Sequence, residues 1–276
     1  MLFRSRQIPF SYQCSRCGRC CADMRIQVNP YEVCRLARRL GLTTTHFLAR
    51  HTVSGVHLAT RPDRVCGFLS SAGCAVHPDR PLVCRLYPLA RHVTTSGRER
   101  FACLLPRPGS PGEFGTAGSV EDYLAANGAE PFLAEADAWL ALFGRVHSLF
   151  QALLADHSLL AALASDIRLE LLQDRPPPGS PLLDTDRFAG EHCAALGRVL
   201  PADPAEKSLV HRQALEHWLH GLHPQREGLD ESLARLVGAL GVCLGVNVAA
   251  LLQDAAETPP GASERDEALR LGAEFL

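Results

Sequence analysis

Apolar residues recur at three- and four-residue spacing through most of the second half of the chain, which is rich in alanine and leucine. This spacing places apolar side chains on one face of a helix and is typical of helices that pack together. It predicts helices at residues 120–126, 132–154, 159–172, 187–199, 205–222 and 231–252. The consecutive prolines within residues 174–181 must interrupt this series, because proline cannot continue a helix.

The first hundred residues show no such sustained pattern and predict short elements. The sequence NPYE at residues 29–32 is typical of a helix start, with asparagine as the cap and proline in the first position. This helix should run to about Leu40 and end at Gly41. A second short helix is predicted at 44–52 and a short strand at 56–60, with loops and single turns elsewhere.

The distribution of cysteine divides the chain in the same way. Nine of the eleven cysteines lie between Cys14 and Cys103, and a segment rich in Pro, Gly and Ser follows. The predicted domains are a cysteine-rich metal-binding domain at 1–105, a linker at 106–119, a helical domain at 120–257 and a loosely attached tail at 258–276. The expected fold class is mainly α, with a small irregular metal-stabilised cysteine-rich domain followed by an all-α helical domain.

The charge and hydropathy of the chain point to a cytoplasmic protein. The formal net charge of −2 gives no reason to expect binding to nucleic acid or to an anionic membrane. No apolar run reaches the roughly 20 residues of a membrane helix, and the N-terminus lacks a signal-peptide core. Because thiols stay reduced in the cytosol, the clustered cysteines indicate metal or redox chemistry rather than disulfides.

The run CSRCGRCC places four cysteines within eight residues. Cys14, Cys17 and Cys20 have the spacing of the first three ligands in the bacterial ferredoxin run, and Gly18 allows the chain to curl around an ion. Cys21 directly follows Cys20. Since adjacent side chains tend to point apart, this pair suggests that the assembly holds more than one metal ion.

Further thiolates must come from later in the chain, because zinc and iron–sulfur centres usually take four sulfurs per site. Pro81 is expected to begin a helical turn that presents Cys84. The eight predicted metal ligands are Cys14, Cys17, Cys20, Cys21, Cys66, Cys74, Cys84 and Cys103. They allow two four-sulfur sites, one four-cysteine cluster with spare thiols, or a sulfur-bridged pair of zinc ions. Nearby arginines should offset the negative charge of the thiolates; they are Arg16, Arg19, Arg25, Arg80 and Arg85.

The remaining cysteines and a group of histidines are expected to be structural. Cys34, Cys193 and Cys243 lie in predicted helices among apolar neighbours, which favours burial in a core. The histidines within residues 217–223 follow one another at three-residue steps. This spacing can bind a metal, but Gly221 and Pro224 indicate a helix end, where histidine can bond free carbonyl groups.

The ordered cysteine motif resembles the YkgJ-type cysteine-cluster family, which is described as a zinc- or iron-chelating domain. The resemblance covers about residues 12–103 and rests on three parts of the motif. The first is a C-x-x-C-G-x-C-C run, and the second is a Cys followed by Phe-Leu. The third contains a Cys, then an Arg-Pro pair, then Cys-Arg followed by an aromatic residue and Pro. In this sequence the motif corresponds to Cys14, Cys17, Gly18, Cys20, Cys21, Cys66, Phe68, Leu69, Cys74, Arg80, Pro81, Cys84, Arg85, Tyr87 and Pro88. The resemblance implies a bound metal but no agreed reaction.

Three functions follow from these patterns. The first is an iron–sulfur protein with a redox, sensing or uncharacterised enzymatic role, whose helical half serves as a platform for a protein partner. The second is a zinc module that folds a segment with little core and acts in protein interaction. The third is an iron–sulfur-dependent protein-modifying enzyme, by distant similarity to flagellin lysine N-methylases. No P-loop, nucleophile elbow or H-E-x-x-H motif is present in the sequence, so enzymatic activity is left open.

Overall fold

The computed structural model describes residues 3–53, 57–94, 97–105, 109, 111–154 and 185–220. The helices predicted at 159–172 and 231–252, the proline-rich interruption, Cys243 and the tail lie outside these residues. The described chain forms two compact units. The cysteine unit contains residues 3–27 and 58–135, and the helical unit contains residues 28–57 and 136–220.

Helices contain 47% of the described residues, which agrees with the predicted mainly α fold class. The α-helices of the described residues are α1 (Pro30–Leu40), α2 (Thr44–His51), α3 (Leu82–Leu86), α4 (Val120–Ala126), α5 (Glu130–Leu154), α6 (Thr185–Ala195) and α7 (Pro204–His220). The strands are β1 (Phe3–Arg4), β2 (Pro9–Gln13), β3 (Thr52–Val53), β4 (His57–Leu58), β5 (Leu69–Ser70), β6 (Gly73–Cys74), β7 (Leu89–Val93), β8 (Glu99–Cys103) and β9 (Glu113–Ser119).

Helix α1 has the limits that its end signals predict. The Asn29 side chain accepts a hydrogen bond from the Glu32 N–H at 3.0 Å, and the Glu32 carboxylate accepts one from the Asn29 N–H at 2.9 Å. This capping box satisfies backbone donors that a helix start leaves unpaired. The helix ends at Gly41, whose φ of 66° lies in the left-handed region that glycine enters without strain.

In the helical unit, α7 packs against α1 and α6, and α2 packs against α6. Leu36 of α1, Phe47 of α2 and Trp139 of α5 are almost fully buried. The indole N–H of Trp139 donates to the Ser208 hydroxyl at 3.0 Å, which satisfies the one polar atom of this large side chain. The regular helical spacing of the sequence therefore corresponds to apolar residues buried in this unit.

Asp186, in the first turn of α6, ties together three helices of the helical unit. Its carboxylate accepts a hydrogen bond from the Thr44 N–H at 2.9 Å and lies 3.3 Å from Lys207 Nζ and 3.6 Å from His211 Nε2. Burial acts to raise the pKa of Asp186, but His211, the Thr44 N–H and Lys207 outweigh it, so the pKa lies well below its usual range. The folded helical unit therefore favours the charged form of Asp186.

We expect Asp186→Asn to lower the free energy of unfolding by about 2 kcal/mol at pH 7, since charged hydrogen bonds are lost. A depressed folded-state pKa contributes stability that is fully present above the unfolded pKa of about 3.9 and is lost as the pH falls through the folded value. The difference between wild type and variant should therefore stay constant from pH 7 to about pH 4 and shrink as the pH falls further, as measured in urea titrations. Asp137→Asn, at an exposed position of α5, is the control. A difference that does not change with pH would contradict this role.

The cysteine unit is built from short strands and two helices. Strand β2 pairs antiparallel with β9, and a three-stranded sheet has the order β1-β8-β7. Phe10 and Tyr12 of β2 are buried, and their rings contact those of Tyr123, Phe114 and Tyr87 with centroid distances of 5.0 to 6.1 Å. Aromatic packing therefore fixes the strand that leads directly into the cysteine run.

The two compact units differ in two places from the domains that the sequence predicts. Residues 113–119 of the predicted linker form β9, which pairs with β2, so this part of the segment belongs to the cysteine unit. Residues 28–57, which the sequence places in the cysteine-rich domain, group with the helical unit because α1 and α2 pack there. The four predicted domain ranges themselves stay a prediction.

Candidate metal centre

The cysteine run begins where β2 ends and closes in a tight turn. Arg16 and Gly18 have φ angles of 55° and 73°, and a 3₁₀ turn follows at Arg19–Cys21. A Cβ on Gly18 would lie 2.9 Å from Leu69 Cδ2, so only glycine combines this backbone conformation with this close contact. The predicted curl at Gly18 is confirmed.

Backbone hydrogen bonds join this run to the second cysteine segment, which contains Cys66, Cys74 and Cys84. The Cys66 N–H donates to the Cys21 carbonyl at 2.9 Å, and the Asp23 N–H donates to the Arg64 carbonyl at 2.9 Å. Between these bonds, Ala22 and Val65 form an antiparallel bridge. Two cysteines 45 positions apart in the sequence are therefore held side by side by main-chain bonds alone.

Cys74 reaches the same region through a tight hairpin. Strand β5 pairs with β6, so that Leu69 lies opposite Cys74 and Ser70 lies opposite Gly73. The φ of 99° at Gly73 places this turn residue in a region that glycine favours. The hairpin returns the chain towards Cys66, and the charge of Cys74 acts to raise the pKa of the Cys66 thiol.

Helix α3 presents Cys84, as the position of Pro81 predicts. The helix spans Leu82–Leu86 and is fixed by Arg85, the residue after Cys84. The Arg85 guanidinium donates to the carbonyl oxygens of Arg80, Asn127 and Pro78, and its carbon lies 3.9 Å from the centre of the Phe132 ring. Arg85 is only 6% exposed, so it connects α3 to the segment between α4 and α5 from inside the unit.

Thiols of both segments act on the pKa of Cys21. An interaction with Cys20, burial and the charges of Cys84 and Cys66 together raise the pKa of Cys21 well above its usual range. Burial and the charge of Cys74 also raise the pKa of Cys66, although the Phe68 N–H and Arg61 act in the opposite direction. Burial acts on both thiols, and the neighbouring thiols add to it because each negative charge disfavours the next.

Cys20 and Cys21 are consecutive residues of the 3₁₀ turn, and an interaction with Cys20 is the largest cause that raises the pKa of Cys21. Consecutive residues of a 3₁₀ helix lie about 120° apart around its axis, whereas neighbours in a strand point to opposite faces. The expectation that the assembly holds more than one metal ion stays a prediction.

Three predicted ligands lie at different places around this group. Cys14 accepts a hydrogen bond from the Arg16 N–H at 3.4 Å and contributes to the raised pKa of Tyr123, whose main cause is burial. Cys17 is exposed on the same run. Cys103, at the end of β8 opposite Leu89, directs its thiol to the Leu104 carbonyl at 3.7 Å.

Positive charge lies close to the second segment. His77 is half-buried, and burial together with Arg80, Arg16 and Arg85 lowers its pKa. Arg61 was not singled out by the sequence, yet it acts on the Cys66 thiol and donates to the Leu69 carbonyl at 2.8 Å. No local motif marks Arg61, because only the bridge between Thr60 and Cys66 brings it to the thiols.

The predictions for the other cysteines agree with the structure where it describes them. Cys34 of α1 and Cys193 of α6 are buried in the helical unit, with 3% and 2% exposure. The Cys34 thiol lies 3.9 Å from His211 Nδ1. Both cysteines belong to a different unit from the eight predicted ligands.

The grouped thiols fit a metal in their chemistry. Within the residues that the structure describes, no three Cys, His, Asp or Glu side chains already surround one position as ligands. The ten cysteines in this part of the chain are thiols. Cys20, Cys66 and Cys84 each act on the pKa of Cys21, and zinc and iron–sulfur centres take four sulfur donors.

Membrane insertion has no support in the helices seen here. Across the described parts of the chain, no helix combines the length and the apolar character needed to cross a bilayer.

Comparison with known proteins identifies the cysteine-rich segment. Residues 13–103 match a family described as "CxxCxxCC: Putative zinc- or iron-chelating domain". No curated protein and no solved structure matches the chain significantly. The match includes both cysteine segments and supports a metal cofactor, with zinc and iron both compatible. Residues 13–103 are therefore similar to a cysteine-cluster family described as zinc- or iron-chelating.

Proposed function

We propose that the cysteine unit binds its metal through a central group of four thiolates, Cys20, Cys21, Cys66 and Cys84. The observation that carries this proposal is the environment of Cys21, whose thiol is acted on by the other three. Two of these residues come from the first run and two from the second segment. The main-chain bonds between Cys21 and Cys66 support their joint role, because they hold the two segments together.

The protein contributes charge as well as sulfur at this site. Four thiolates around a divalent ion leave a net negative charge, which nearby cations and N–H donors stabilise. Arg61, close to Cys66, fits this role, and so do Arg16 and Arg80, which lie with Arg85 around His77. Binding of a metal requires the thiols to lose their protons, and it removes the repulsion that otherwise disfavours the charged forms.

We propose iron–sulfur as the cofactor, in a protein with a redox or sensing role. The spacing of Cys14, Cys17 and Cys20 supports iron–sulfur because it matches the ferredoxin run. The number of thiols also supports it, since Cys74 acts on the pKa of Cys66, and Cys14, Cys17 and Cys103 are further predicted ligands for a larger or second site. When bound, such a cluster supplies one-electron chemistry.

Zinc is the second candidate, and the size of the strands in the cysteine unit favours it. Strands β5 and β6 contain two residues each, so their pairing contributes little stability by itself. A structural zinc ion commonly stabilises segments of this kind and would make the unit an interaction module.

We propose that the protein lies in a reducing cytoplasm and binds a protein partner. Thiols persist in such a compartment, which supports this location. The helical unit exposes apolar side chains that a partner can cover, among them Leu196, Val199 and Leu209, with exposures of 55%, 89% and 45%. We propose that the partner binds there while the metal stays in the cysteine unit.

Anaerobic purification followed by elemental analysis tests the metal proposal. We expect iron and acid-labile sulfide, with a brown colour and a broad charge-transfer absorption band. A stoichiometric zinc content with a colourless protein would favour the structural module instead, because zinc is d¹⁰ and has no such transitions. A folded cysteine unit without metal, in which every cysteine reacts with a thiol reagent, would exclude both.

A further inference from the structure

A pair of histidines lies in the helical unit, which does not contain the predicted cysteine ligands. His192 of α6 and His217 of α7 have ring centroids 5.4 Å apart and ring planes 50° apart. We propose that these two imidazoles bind one divalent transition-metal ion at a site independent of the cysteine cluster.

The spacing of the rings suits a shared ion. An imidazole nitrogen binds zinc at about 2.0–2.1 Å, so two rings on one tetrahedral ion have centres about 5 Å apart. The observed separation of 5.4 Å is close to this value. The 50° angle between the planes also differs from parallel stacking, in which both nitrogen edges would face away from a common point.

The two helices hold the pair in place while leaving it accessible. Cys193, next to His192, and Ala214, almost one turn before His217, are each only 2% exposed. Helices α6 and α7 pack against each other, so the backbone positions of both histidines are fixed. His192 is half-buried and His217 is exposed, which gives an ion a route from solvent.

The nitrogen atoms of both rings are available for a ligand within the described part of the chain. Among the described residues, each of the two histidines contacts the ring of the other and forms no hydrogen bond or ion pair. The sequence favours carbonyl bonding at a helix end for the histidines of 217–223. The structure instead shows His217 against a histidine of another helix, a neighbour that sequence spacing cannot reveal.

The chemistry of the pair defines the ion that it binds. Imidazole nitrogen suits Zn²⁺, Ni²⁺ and Cu²⁺, whereas iron–sulfur assembly requires thiolates. Among the residues described, no third Cys, His, Asp or Glu completes a ligand group, and the proposed site therefore needs only the two imidazoles and water. Such a site holds an exchangeable ion rather than a permanently enclosed one.

Calorimetric titration of the full-length protein, carrying the metal with which it is isolated, tests the proposal with Ni²⁺ as the probe. We expect one additional Ni²⁺ per chain, without a sulfur-to-nickel charge-transfer band, and a higher melting temperature when Ni²⁺ is present. His192→Ala and His217→Ala should each weaken binding more than about tenfold. His192→Gln should do the same while preserving side-chain size, and His46→Ala, at an exposed position of α2, should bind as wild type.

The outcomes separate the pair from other sources of Ni²⁺ binding. Unchanged affinity in His192→Ala, with loss in His217→Ala, would assign the ion to the histidines of 217–223 alone and overturn the proposal. Binding that disappears in Cys84→Ser but persists in both histidine variants would assign it to the thiols and overturn it as well. The proposal requires that Ni²⁺ binding is lost in both histidine variants and retained in Cys84→Ser. This result does not depend on which metal the cysteine unit holds.

Discussion

Replacement of Cys84 by serine is expected to abolish stoichiometric metal binding and to loosen the cysteine unit. Cys84 is one of the three thiols that act on Cys21, and serine oxygen is a poor replacement for thiolate at a soft-metal site. Loss of one ligand from a four-sulfur site removes binding energy that also stabilises the fold. Metal content per chain and limited proteolysis of residues 58–105 measure the two effects.

The controls for this prediction come from the same chain. Cys66→Ser should behave like Cys84→Ser, since Cys66 belongs to the same group. Cys193→Ser, in the other unit, should retain normal metal content, because this cysteine is buried in α6 and belongs to the helical unit. Equal metal loss in all three variants would show that the assignment of ligands to the cysteine unit is wrong.

Arg85→Ala should destabilise the cysteine unit by about 3 kcal/mol or more. Its guanidinium donates to three carbonyl groups, and charged hydrogen bonds contribute about 1.5–3 kcal/mol each. The variant leaves these buried acceptors without their donor and removes the contact with the Phe132 ring. Chemical denaturation monitored by tyrosine fluorescence measures the change, since Tyr87 and Tyr123 lie in this unit.

Two further variants show which property of Arg85 matters. Arg85→Lys keeps the charge but should recover little of the stability, because an ammonium group cannot reproduce the planar fork of a guanidinium. Arg98→Ala removes an exposed arginine between β7 and β8 and should change stability by less than about 0.5 kcal/mol. Full stability in Arg85→Lys would show that charge alone, rather than the geometry of the three hydrogen bonds, holds α3.

Local signals predicted the helices of the described residues, but only one of the nine strands that these residues form. The cap at Asn29, the proline after it and Gly41 give both limits of α1, because these residues act on the backbone within one turn. Helix α4 likewise has its predicted limits. Helix α6 ends at Ala195, before the predicted limit at 199, because Gly197 follows with a φ of 66°.

Pairings between distant segments were not predictable in this way. Strand β9 lies in a segment whose Pro, Gly and Ser content is typical of a linker, and it becomes a strand only because β2 offers a partner. Similarly, α1 and α2 lie among the cysteine segments in sequence but pack with the helices of the other unit. Composition describes a segment, whereas pairing depends on a partner elsewhere in the chain.

The sequence by itself determined the number and spacing of the cysteines, the resemblance of their motif to a known family, and the helices that the described residues form. Tertiary structure decided which cysteine segments come together. Cys20 and Cys21 lie in one 3₁₀ turn, and main-chain bonds from Cys21 and Asp23 to residues 64–66 bring Cys66 close to this run. Residue type and spacing set what a side chain can bind, but direction and distance come only from the folded backbone. The same reason explains why His192 and His217, on separate helices, meet only in the fold.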